Sequence, residues 1–402
     1  MSCSSTRIDR LRDSMAEAGA DAFYVRDQSN LRWLTAFDGV FDDEDAHAMI
    51  VVPGRAVLHT DSRYDEAFRR VSGGTEIEID ATRCTHAAFA KETLAESRAG
   101  ESSVSPETGN RAEMLAEESS TSQAVGKADG AEGASTTLAI ETSIELGEFR
   151  TLEKELAGSA VRLLETSGVI VGLREVKDAD EITRMKAAQA ITDAAFAHIA
   201  AFAKPGMAER EVQIELEDFM LRHGAEGLAF SSIVATGANG ASPHAIPGET
   251  LLEAGQCVVL DFGARAQGYC SDMTRMLFLG EPDERMRQAY ETIREANECV
   301  EAALRPGVTG AEMHRLAEEV LERHGFGGKM GHGLGHGVGV DIHEQPVLSP
   351  RNDKPLVPGN VVTVEPGIYL AGDFGMRLED FGVITRDGFE VFTQSTHEMV
   401  II

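Results

Sequence analysis

The sequence has no long hydrophobic run and a marked shortage of positive charge. None of its apolar stretches reaches the roughly 18 residues of a membrane-spanning helix. Its first residues lead directly into a charged helical pattern, so no apolar leader is expected. Lys and Arg number 37 against 67 Asp and Glu, which gives a formal net charge of -30. Phosphate contacts need a surplus of basic residues, so nucleic-acid binding is disfavoured and the acidity indicates a solvated surface.

Cysteine is also scarce. The chain has 5 cysteines, an odd number, and they show no zinc-type pairing. This pattern argues against a disulfide framework and predicts reduced thiols in a cytoplasmic protein. The 402 residues are 42% apolar, which is enough for two domains with a sizeable core.

The first domain is expected over residues 1–168. A helical face formed by Ile8, Leu11 and Met15 precedes short apolar strands near residues 22 and 49, which predicts an α/β domain. From about residue 96 to residue 135 the chain is rich in Ser, Glu, Ala and Gly and has no aromatic residue. Such a segment buries too little apolar surface to offset its ordering entropy, so a mobile surface insertion is expected.

The second domain is expected over residues 169–402. Apolar periodicity predicts a long helix from Asp180 to before Pro205 and a second helix over 208–223. Apolar runs within residues 256–278 and 361–393 predict strands that alternate with these helices. The pattern favours a mixed α/β domain with an antiparallel sheet.

Candidate metal ligands lie at predicted strand ends and turns of this second domain. Asp261 ends an apolar run, and Asp272 follows eleven residues later, as the second arm of a hairpin would place it. His336 lies in a glycine-rich stretch, where missing side chains allow close approach of the backbone. Glu365 and Glu379 lie in two further motif-like stretches, fourteen residues apart.

Four carboxylates brought together would repel one another, and their pKa values would rise unless cations held them. Two divalent ions would supply that compensation. Four oxygen-type ligands and one imidazole favour Mn²⁺ or Co²⁺, and Zn²⁺ also fits these ligand types. A calcium site has little use for the histidine.

These residues and their spacings resemble the pita-bread metallopeptidases of the prolidase and aminopeptidase P branch. The resemblance covers most of the chain. It implies a C-terminal pita-bread catalytic domain, of the creatinase and aminopeptidase type, preceded by a smaller creatinase-type α/β domain, in a homodimer. It also implies that Asp261 chelates one metal, that Asp272 and Glu379 bridge both, and that His336 and Glu365 complete the second.

Further residues match outer positions of that family. His244, His332 and His343 resemble the imidazoles that surround the substrate carbonyl. Arg377 resembles an arginine that the family holds beside the bridging glutamate, and Arg351 lies where some prolidases carry a carboxylate-binding arginine.

The resemblance implies hydrolysis of short peptides that have proline second, cleaved after the first residue. Two metals would lower the pKa of a bridging water, and the resulting hydroxide would attack the carbonyl. His343 would help to stabilise the oxyanion, with His332 shaping the pocket, and Glu365 would carry a proton to the departing nitrogen. Xaa-Pro dipeptidase and Xaa-Pro aminopeptidase activity both remain open.

Two other functions are compatible with this fold. A catalytically inactive pita-bread scaffold would bind peptide or protein partners, and a creatinase-like enzyme would hydrolyse its substrate without metal. Both are disfavoured because all five ligand positions are intact. Methionine aminopeptidases lack the extra N-terminal domain. Metal dependence of activity separates these alternatives.

Overall fold

The computed structural model describes residues 3–42, 44–102 and 135–402, with only the backbone described for residues 100–102. The chain divides into two compact units, Met1–Val169 and Ile170–Ile402. Within the described ranges, no helix combines the length and the apolar character needed to cross a membrane.

The first unit is an α/β unit built on one sheet. Its helices are α1 (Cys3–Ala18), α2 (Gln28–Thr35), α3 (Asp65–Val71), α4 (His86–Ser102) and α5 (Leu146–Leu156). Its strands are β1 (Ala22–Val25), β2 (Ala48–Val52), β3 (Arg55–His59), β4 (Ile77–Asp80), β5 (Thr136–Glu141) and β6 (Val161–Thr166). The strand order is β4-β3-β2-β1-β5-β6.

Both strand directions occur in this sheet. β2 is antiparallel to β1 and to β3, whereas the pairs β3–β4, β1–β5 and β5–β6 are parallel. Ile8, Leu11 and Met15 of α1 are buried, which confirms the helical face read from the sequence. The α/β character predicted for this part of the chain is therefore confirmed.

Part of the segment expected to be an insertion continues a helix. Residues 96–102 form the last turns of α4, and the next described residues lead directly into β5. The rest of the expected insertion lies outside the described residues.

Along the second unit, a pair of long helices followed by a series of strands occurs twice. Its helices are α6 (Val169–Arg174), α7 (Ala179–Phe202), α8 (Glu209–Arg222), α9 (Gly237–Gly240), α10 (Glu284–Ala303) and α11 (Gly310–Arg323). The strands before α10 are β7 (Gly227–Leu228), β8 (Ile233–Thr236), β9 (Cys257–Phe262), β10 (Ala264–Ala266), β11 (Tyr269–Cys270) and β12 (Met273–Phe278). The strands after α11 are β13 (Gly335–Gly337), β14 (Glu344–Leu348), β15 (Val361–Val364), β16 (Gly367–Leu370), β17 (Phe374–Arg377), β18 (Asp380–Ile384), β19 (Phe389–Val391) and β20 (Val400–Ile401).

The two long helices predicted for this unit, α7 and α8, are confirmed. Asp178 caps α7, and its side chain accepts hydrogen bonds from the backbone N–H groups of Asp180 and Glu181. The side chain of Glu181 in turn accepts a hydrogen bond from the N–H of Asp178, so both hydrogen bonds of a capping box are present. Most strand pairs are antiparallel, as predicted, and β20 joins β12 in parallel.

Strand β9 separates two apolar clusters. Val258, Leu260 and Phe262 belong to a cluster with α7 and α8, whereas Cys257 and Val259 belong to a cluster with α10 and α11. Because successive side chains of a strand point to opposite faces, both faces of β9 are covered by helices. The strand is therefore fully buried and firmly held at the position where the candidate ligands begin.

A close backbone approach follows β9. A Cβ atom at Gly263 would lie 1.9 Å from the carbonyl oxygen of Ser271, closer than real side chains come. A small hairpin, β10–β11, lies within the connection between β9 and β12. Gly263 thus allows this hairpin to fold back beside the strand.

We expect Gly263→Ala to lower the free energy of unfolding by about 1 to 3 kcal/mol, because the added methyl group forces the backbone apart. Gly227→Ala is the matched control, since nothing lies within 4 Å of a Cβ atom there, and a change of about 0.5 kcal/mol or less is expected. Urea denaturation of both variants measures the difference. Equal stability of the two variants would contradict the close approach.

Candidate metal centre

Strand register brings the first candidate ligands to one face of a sheet. β9 and β12 are antiparallel, and Asp261 lies opposite Thr274. Asp272 stands two residues before Thr274, so its side chain belongs to the same face. This arrangement confirms that the two aspartates lie on two arms of an antiparallel pair, although the connection between them contains the β10–β11 hairpin.

The glycine-rich stretch carries His336 into the site. A Cβ atom at Gly335 would lie 2.1 Å from the carbonyl oxygen of Thr363, and one at Gly337 would lie 2.4 Å from that of Gln345. The missing side chains therefore let β13 approach the backbone of β15 and β14. The backbone N–H of His336 donates to the Thr363 hydroxyl oxygen at 3.0 Å.

That approach places His336 next to the end of β15. Glu365 directly follows this strand, and its Oε1 accepts a hydrogen bond from the Thr363 hydroxyl at 3.2 Å. His336 Nε2 lies 3.5 Å from the same Glu365 oxygen and 3.5 Å from Asp272 Oδ2. One threonine hydroxyl thus contacts both candidate ligands.

Glu379 enters from the segment between β17 and β18. It forms an isolated antiparallel bridge with Thr274, and its backbone N–H donates to the Thr274 carbonyl at 3.2 Å. The Thr274 hydroxyl donates to Glu379 Oε2 at 2.6 Å. Backbone pairing and the hydroxyl therefore fix the same carboxylate.

Three of the five predicted ligands form a compact group. Asp272, His336 and Glu379 each offer one ligand atom, and these atoms lie within 4.8 Å of one another. Glu365 lies next to this group, with its Oε1 3.5 Å from His336 Nε2. The carboxylate of Asp261 is an acceptor for the guanidinium of Arg377. Asp261 and Glu365 thus lie near a compact group of three, and a site that uses all five residues stays a prediction.

The carboxylates in this site are buried, with Asp261, Asp272 and Glu379 only 7%, 4% and 2% exposed. Burial raises the pKa of Asp272, and the charges of Glu379, Asp261 and Glu365 raise it further. Burial and the same kind of repulsion also raise the pKa of Glu379. The site thus holds more negative charge than its surroundings neutralise.

Arg377 is a buried cation that pairs with one of these carboxylates. It is paired with Asp261, its Nε donates to the Thr274 hydroxyl oxygen at 2.9 Å, and its Nη1 donates to the Tyr369 hydroxyl oxygen at 2.8 Å. The Thr274 hydroxyl links Arg377 to Glu379, and the charge of Arg377 opposes the rise in the pKa of Glu379. Burial alone would lower the pKa of Arg377, but Tyr369 and the carboxylates outweigh it and raise that pKa. One guanidinium cannot balance four carboxylates.

The tautomer of His336 leaves a ligand atom available. Its Nδ1 lies 3.0 Å from the carbonyl oxygen of Gly337, which can only accept, so Nδ1 carries the proton. Burial lowers the pKa of His336 and keeps the ring neutral near pH 7. Nε2, which faces Asp272 and Glu365, then has a free lone pair. A backbone acceptor on the far nitrogen is the usual arrangement for a metal-binding histidine.

His332 is oriented in the same way. Its Nδ1 donates to the Gly333 carbonyl at 2.7 Å, and its Nε2 lies 3.1 Å from the Tyr369 hydroxyl. Burial lowers its pKa. Tyr369 therefore links His332 to Arg377.

The two remaining histidines lie at the exposed side of the site. The ring of His343 packs edge-on against that of His336, with centroids 4.4 Å apart. Burial lowers the pKa of His343, and the charges of His336 and His244 add to that effect. His244 is exposed in the turn after α9. Arg351 is exposed between β14 and β15, and within the described part of the chain its side chain forms no hydrogen bond or ion pair.

The loop that carries His343 is held by a buried carboxylate. Glu344 accepts hydrogen bonds from Arg174 at 2.5 Å and from Lys177 at 3.0 Å. Burial alone would raise the pKa of Glu344, but Lys177 and Arg174 lower it to about 2. The residue next to His343 is thus a permanent anion between two cations.

Sequence reasoning missed Thr274, Thr363 and Tyr369. Thr274 follows Asp272 by two residues on a strand, so the alternation of side chains was a usable signal. Thr363 precedes Glu365 in the same way. Tyr369 had no such signal, because its contacts with His332 and Arg377 depend on the β16–β17 hairpin.

The donor set fits divalent metal ions. Carboxylate oxygens and a neutral imidazole are the ligands that Mn²⁺, Co²⁺ and Zn²⁺ accept. The raised pKa values of Asp272 and Glu379 indicate an excess of negative charge that cations would neutralise. Asp272, His336 and Glu379 are the residues whose ligand atoms lie close enough together to hold such an ion, and Glu365 and Asp261 lie beside them.

The fold and this site together define a metallohydrolase. Residues 183–386 match the family model of metallopeptidase family M24, and residues 7–176 match the creatinase/prolidase N-terminal domain. An uncharacterised peptidase of Bacillus subtilis, YqhT, is 32% identical over 397 residues, which cover 98% of this chain and 100% of that protein. The chain belongs to metallopeptidase family M24 and is a metal-dependent peptidase.

Named relatives have the same architecture. An Xaa-Pro dipeptidase of Pyrococcus horikoshii is 34% identical over 66% of this chain and 75% of its own length. The structure of an Xaa-Pro dipeptidase from Bacillus anthracis superimposes with a TM-score of 0.85 at 32% identity, covering 99% of this chain and 100% of that one. An X-Pro aminopeptidase from Thermotoga maritima gives 0.79 at 29% identity, covering 96% and 98%. The predicted pita-bread domain with a creatinase-type N-terminal domain is confirmed.

Metal binding should release protons. Burial and mutual repulsion raise the folded-state pKa values of Asp272 and Glu379 above the ordinary 3.8 and 4.5, so the metal-free native state binds protons that a cation displaces. At these two groups the native metal-free protein binds more protons than the unfolded chain, so their contribution to stability falls as pH rises above that range.

We therefore expect the difference in Tm between metal-loaded and metal-free protein to widen as pH rises above the ordinary carboxyl range. Calorimetric titration with Mn²⁺ in two buffers of different ionisation enthalpy counts the released protons. No proton release just above the ordinary carboxyl range, together with a constant difference in Tm, would contradict the electrostatic description of the site.

Proposed function

We propose that this chain hydrolyses the Xaa-Pro bond at the N-terminus of short peptides. The observation that carries the proposal is the convergence of Asp272, His336 and Glu379 ligand atoms within 4.8 Å, with Glu365 3.5 Å from His336. Relatives named Xaa-Pro dipeptidase and X-Pro aminopeptidase support the substrate class.

Two divalent ions are proposed for the site, with Mn²⁺ or Co²⁺ preferred and Zn²⁺ possible on ligand type. Asp261 would hold one ion, Asp272 and Glu379 both, and His336 with Glu365 the other. When bound, a metal pair activates water near neutral pH and polarises the substrate carbonyl.

Glu365 is the proposed proton carrier. Burial raises its pKa even though Arg377 and His332 oppose the effect. A carboxylate with a raised pKa accepts a proton near neutral pH more readily than an ordinary one. As water adds to the carbonyl carbon, Glu365 takes its proton and returns it to the nitrogen when the carbon–nitrogen bond breaks. The Thr363 hydroxyl orients Glu365 for both transfers.

The transfer matters because of the proline leaving group. The nitrogen of an Xaa-Pro bond carries no hydrogen and must be protonated to leave as a secondary amine. His343 and His244 at the exposed side of the site are proposed to donate to the carbonyl oxygen as negative charge develops there. His332, held by Tyr369, is proposed to shape the proline pocket. Arg377 forms an ion pair with Asp261.

Arg351 is proposed to bind the substrate carboxylate. Its exposed side chain is available for a charge-assisted bond to the C-terminus of a dipeptide. This contact favours dipeptides, whereas an aminopeptidase must admit a longer chain.

The organisation of the chain belongs to the same proposal. We propose an N-terminal domain over 1–168 and a catalytic domain over 169–402, in a homodimer. Sedimentation equilibrium should then give a mass of twice 43.2 kDa. A cytoplasmic location is proposed because Cys84, Cys257, Cys270 and Cys299 are thiols, as in a reducing compartment.

Removal of metal should abolish cleavage. After dialysis against a chelator, we expect no hydrolysis of an Xaa-Pro dipeptide or an Xaa-Pro-Yaa tripeptide, and recovery when Mn²⁺ or Co²⁺ is added back, because both activation of water and charge balance depend on the ions. Chromatography of the products measures the rate, and a faster rate with the dipeptide is expected from Arg351. Activity without metal would support a creatinase-like reaction, and no activity with any metal would support a binding scaffold.

Glu365→Gln should lower kcat by about 10² to 10⁴ and weaken metal binding, because the amide can neither accept the proton nor neutralise a cation. Glu390→Gln makes the same chemical change on a carboxylate that is 51% exposed and paired with Lys186, and should leave kcat unchanged. Steady-state kinetics with saturating Mn²⁺ compare the two variants. A near-normal rate of Glu365→Gln would remove this residue from the mechanism.

A further inference from the structure

A second pair of residues lies directly behind the contact between Thr274 and Glu379. These two residues are followed along the chain by Arg275 and Asp380, which form an ion pair at 2.6 Å with side chains 1% and 0% exposed. Because side chains alternate across paired segments, the ion pair and the Thr274–Glu379 hydrogen bond lie on opposite faces. Side chains therefore pack on both faces of the backbone bridge. Thr274 and Glu379 lie on the face of the candidate ligands, and Arg275 and Asp380 lie on the opposite face.

Arg275 binds the backbone of that bridge as well. Its Nη1 donates to the carbonyl oxygen of Glu379 at 2.6 Å and to that of Thr274 at 3.0 Å. Its Nη2 donates to Asp380 and, at 2.8 Å, to the carbonyl oxygen of Ser395. One planar guanidinium therefore joins both bridged segments to the C-terminal segment, residues 393–398.

His397 completes the coordination of Asp380. Its Nε2 lies 2.7 Å from Asp380 Oδ2, and its Nδ1 lies 3.3 Å from Glu298 Oε1. Carboxylates only accept, so a ring protonated on both nitrogens satisfies both contacts. Although burial lowers the pKa of His397, the bond to Asp380 raises it overall. Both oxygens of Asp380 thus have a cationic donor, Arg275 on one and His397 on the other.

The C-terminal segment is fixed independently of these contacts. The backbone N–H and the hydroxyl of Ser395 donate to Asp193 of α7 at 2.8 and 2.6 Å. The Tyr290 hydroxyl of α10 donates to the His397 carbonyl at 3.0 Å. His397 and the Ser395 carbonyl are therefore held by two helices and form a rigid support behind the bridge.

We propose that Arg275, Asp380 and His397 are positioning residues that hold the carboxylate of Glu379 at its metal-binding position. The inference rests on the proposed function only in taking Glu379 as a metal ligand. Loss of the back-side contacts would let the bridge between Thr274 and Glu379 shift, and a ligand carboxylate would leave its place. Groups that orient metal ligands in this way typically change metal affinity by about 10- to 100-fold.

The test uses Arg275→Lys, which keeps the charge but cannot reach all four acceptors, and His397→Gln, which keeps a donor but not the charge. Titration of the metal-free full-length protein with Co²⁺ gives the affinity and the visible absorption spectrum. We expect Arg275→Lys to weaken Co²⁺ binding about 10-fold or more and to alter the spectrum. We expect a smaller loss for His397→Gln, with kcat reduced and KM nearly unchanged in both variants.

Val300→Ala is the matched control for stability. Val300 is fully buried in the cluster formed with α11, and its aliphatic side chain can form no hydrogen bond with Arg275, Asp380 or His397, so its truncation should lower stability without changing Co²⁺ affinity or spectrum. His397 has a side chain that is 21% exposed, so its variant tests the proposal even where the Arg275 variant fails to fold. Folded His397→Gln with the parental affinity and spectrum would overturn the proposal.

The metal titration does not depend on the substrate. If the protein cleaves no Xaa-Pro peptide but its variants bind Co²⁺ more weakly, the positioning role is supported and the proposed function fails. Parental Co²⁺ binding by the variants of an active peptidase would overturn the positioning role alone.

Discussion

The carboxylates of a poorly solvated site repel one another, and this catalytic domain must offset that repulsion. Asp261, Asp272 and Glu379 are nearly inaccessible to water, and Glu365 lies beside them. Bringing such groups together disfavours their charged forms. Arg377 offsets part of the negative charge through Asp261, and divalent ions are the remaining means of balance. The same imbalance that weakens the metal-free site gives it affinity for cations.

The fold resists this repulsion by fixing each ligand through backbone pairing rather than through side-chain contacts alone. β9 and β12 are buried on both faces by helices, so Asp261 and Asp272 extend from strands that cannot easily move. The small residues around His336 allow the backbone to pack against β15. Glu379 is held by its bridge to Thr274, with Arg275 and Asp380 behind it. Rigid strands with ligands at their ends are a common way to build a precise site.

The sequence was sufficient to predict the candidate ligands, because each lies in a short stretch whose composition is informative by itself. Helices α7 and α8 were also readable, since apolar periodicity and capping are local signals. The hydrogen bonds of Thr274, Tyr369 and Arg275 were not readable, because they depend on which strands pair and in what register. The segment around residues 96–102 misled for a different reason. Its low apolar content suggested an insertion, yet Glu, Ala and Arg have good helix propensity, and α4 continues through them.

The central claim is that Asp261, Asp272, His336, Glu365 and Glu379 converge on a pair of ions. Anomalous diffraction from crystals grown with Mn²⁺ tests it most directly, because the signal locates the metal without reference to activity. The account predicts two peaks, roughly 3.5 to 4 Å apart, with Asp272 and Glu379 contacting both. A single peak that leaves Asp261 without a metal, or peaks remote from these five residues, would contradict it.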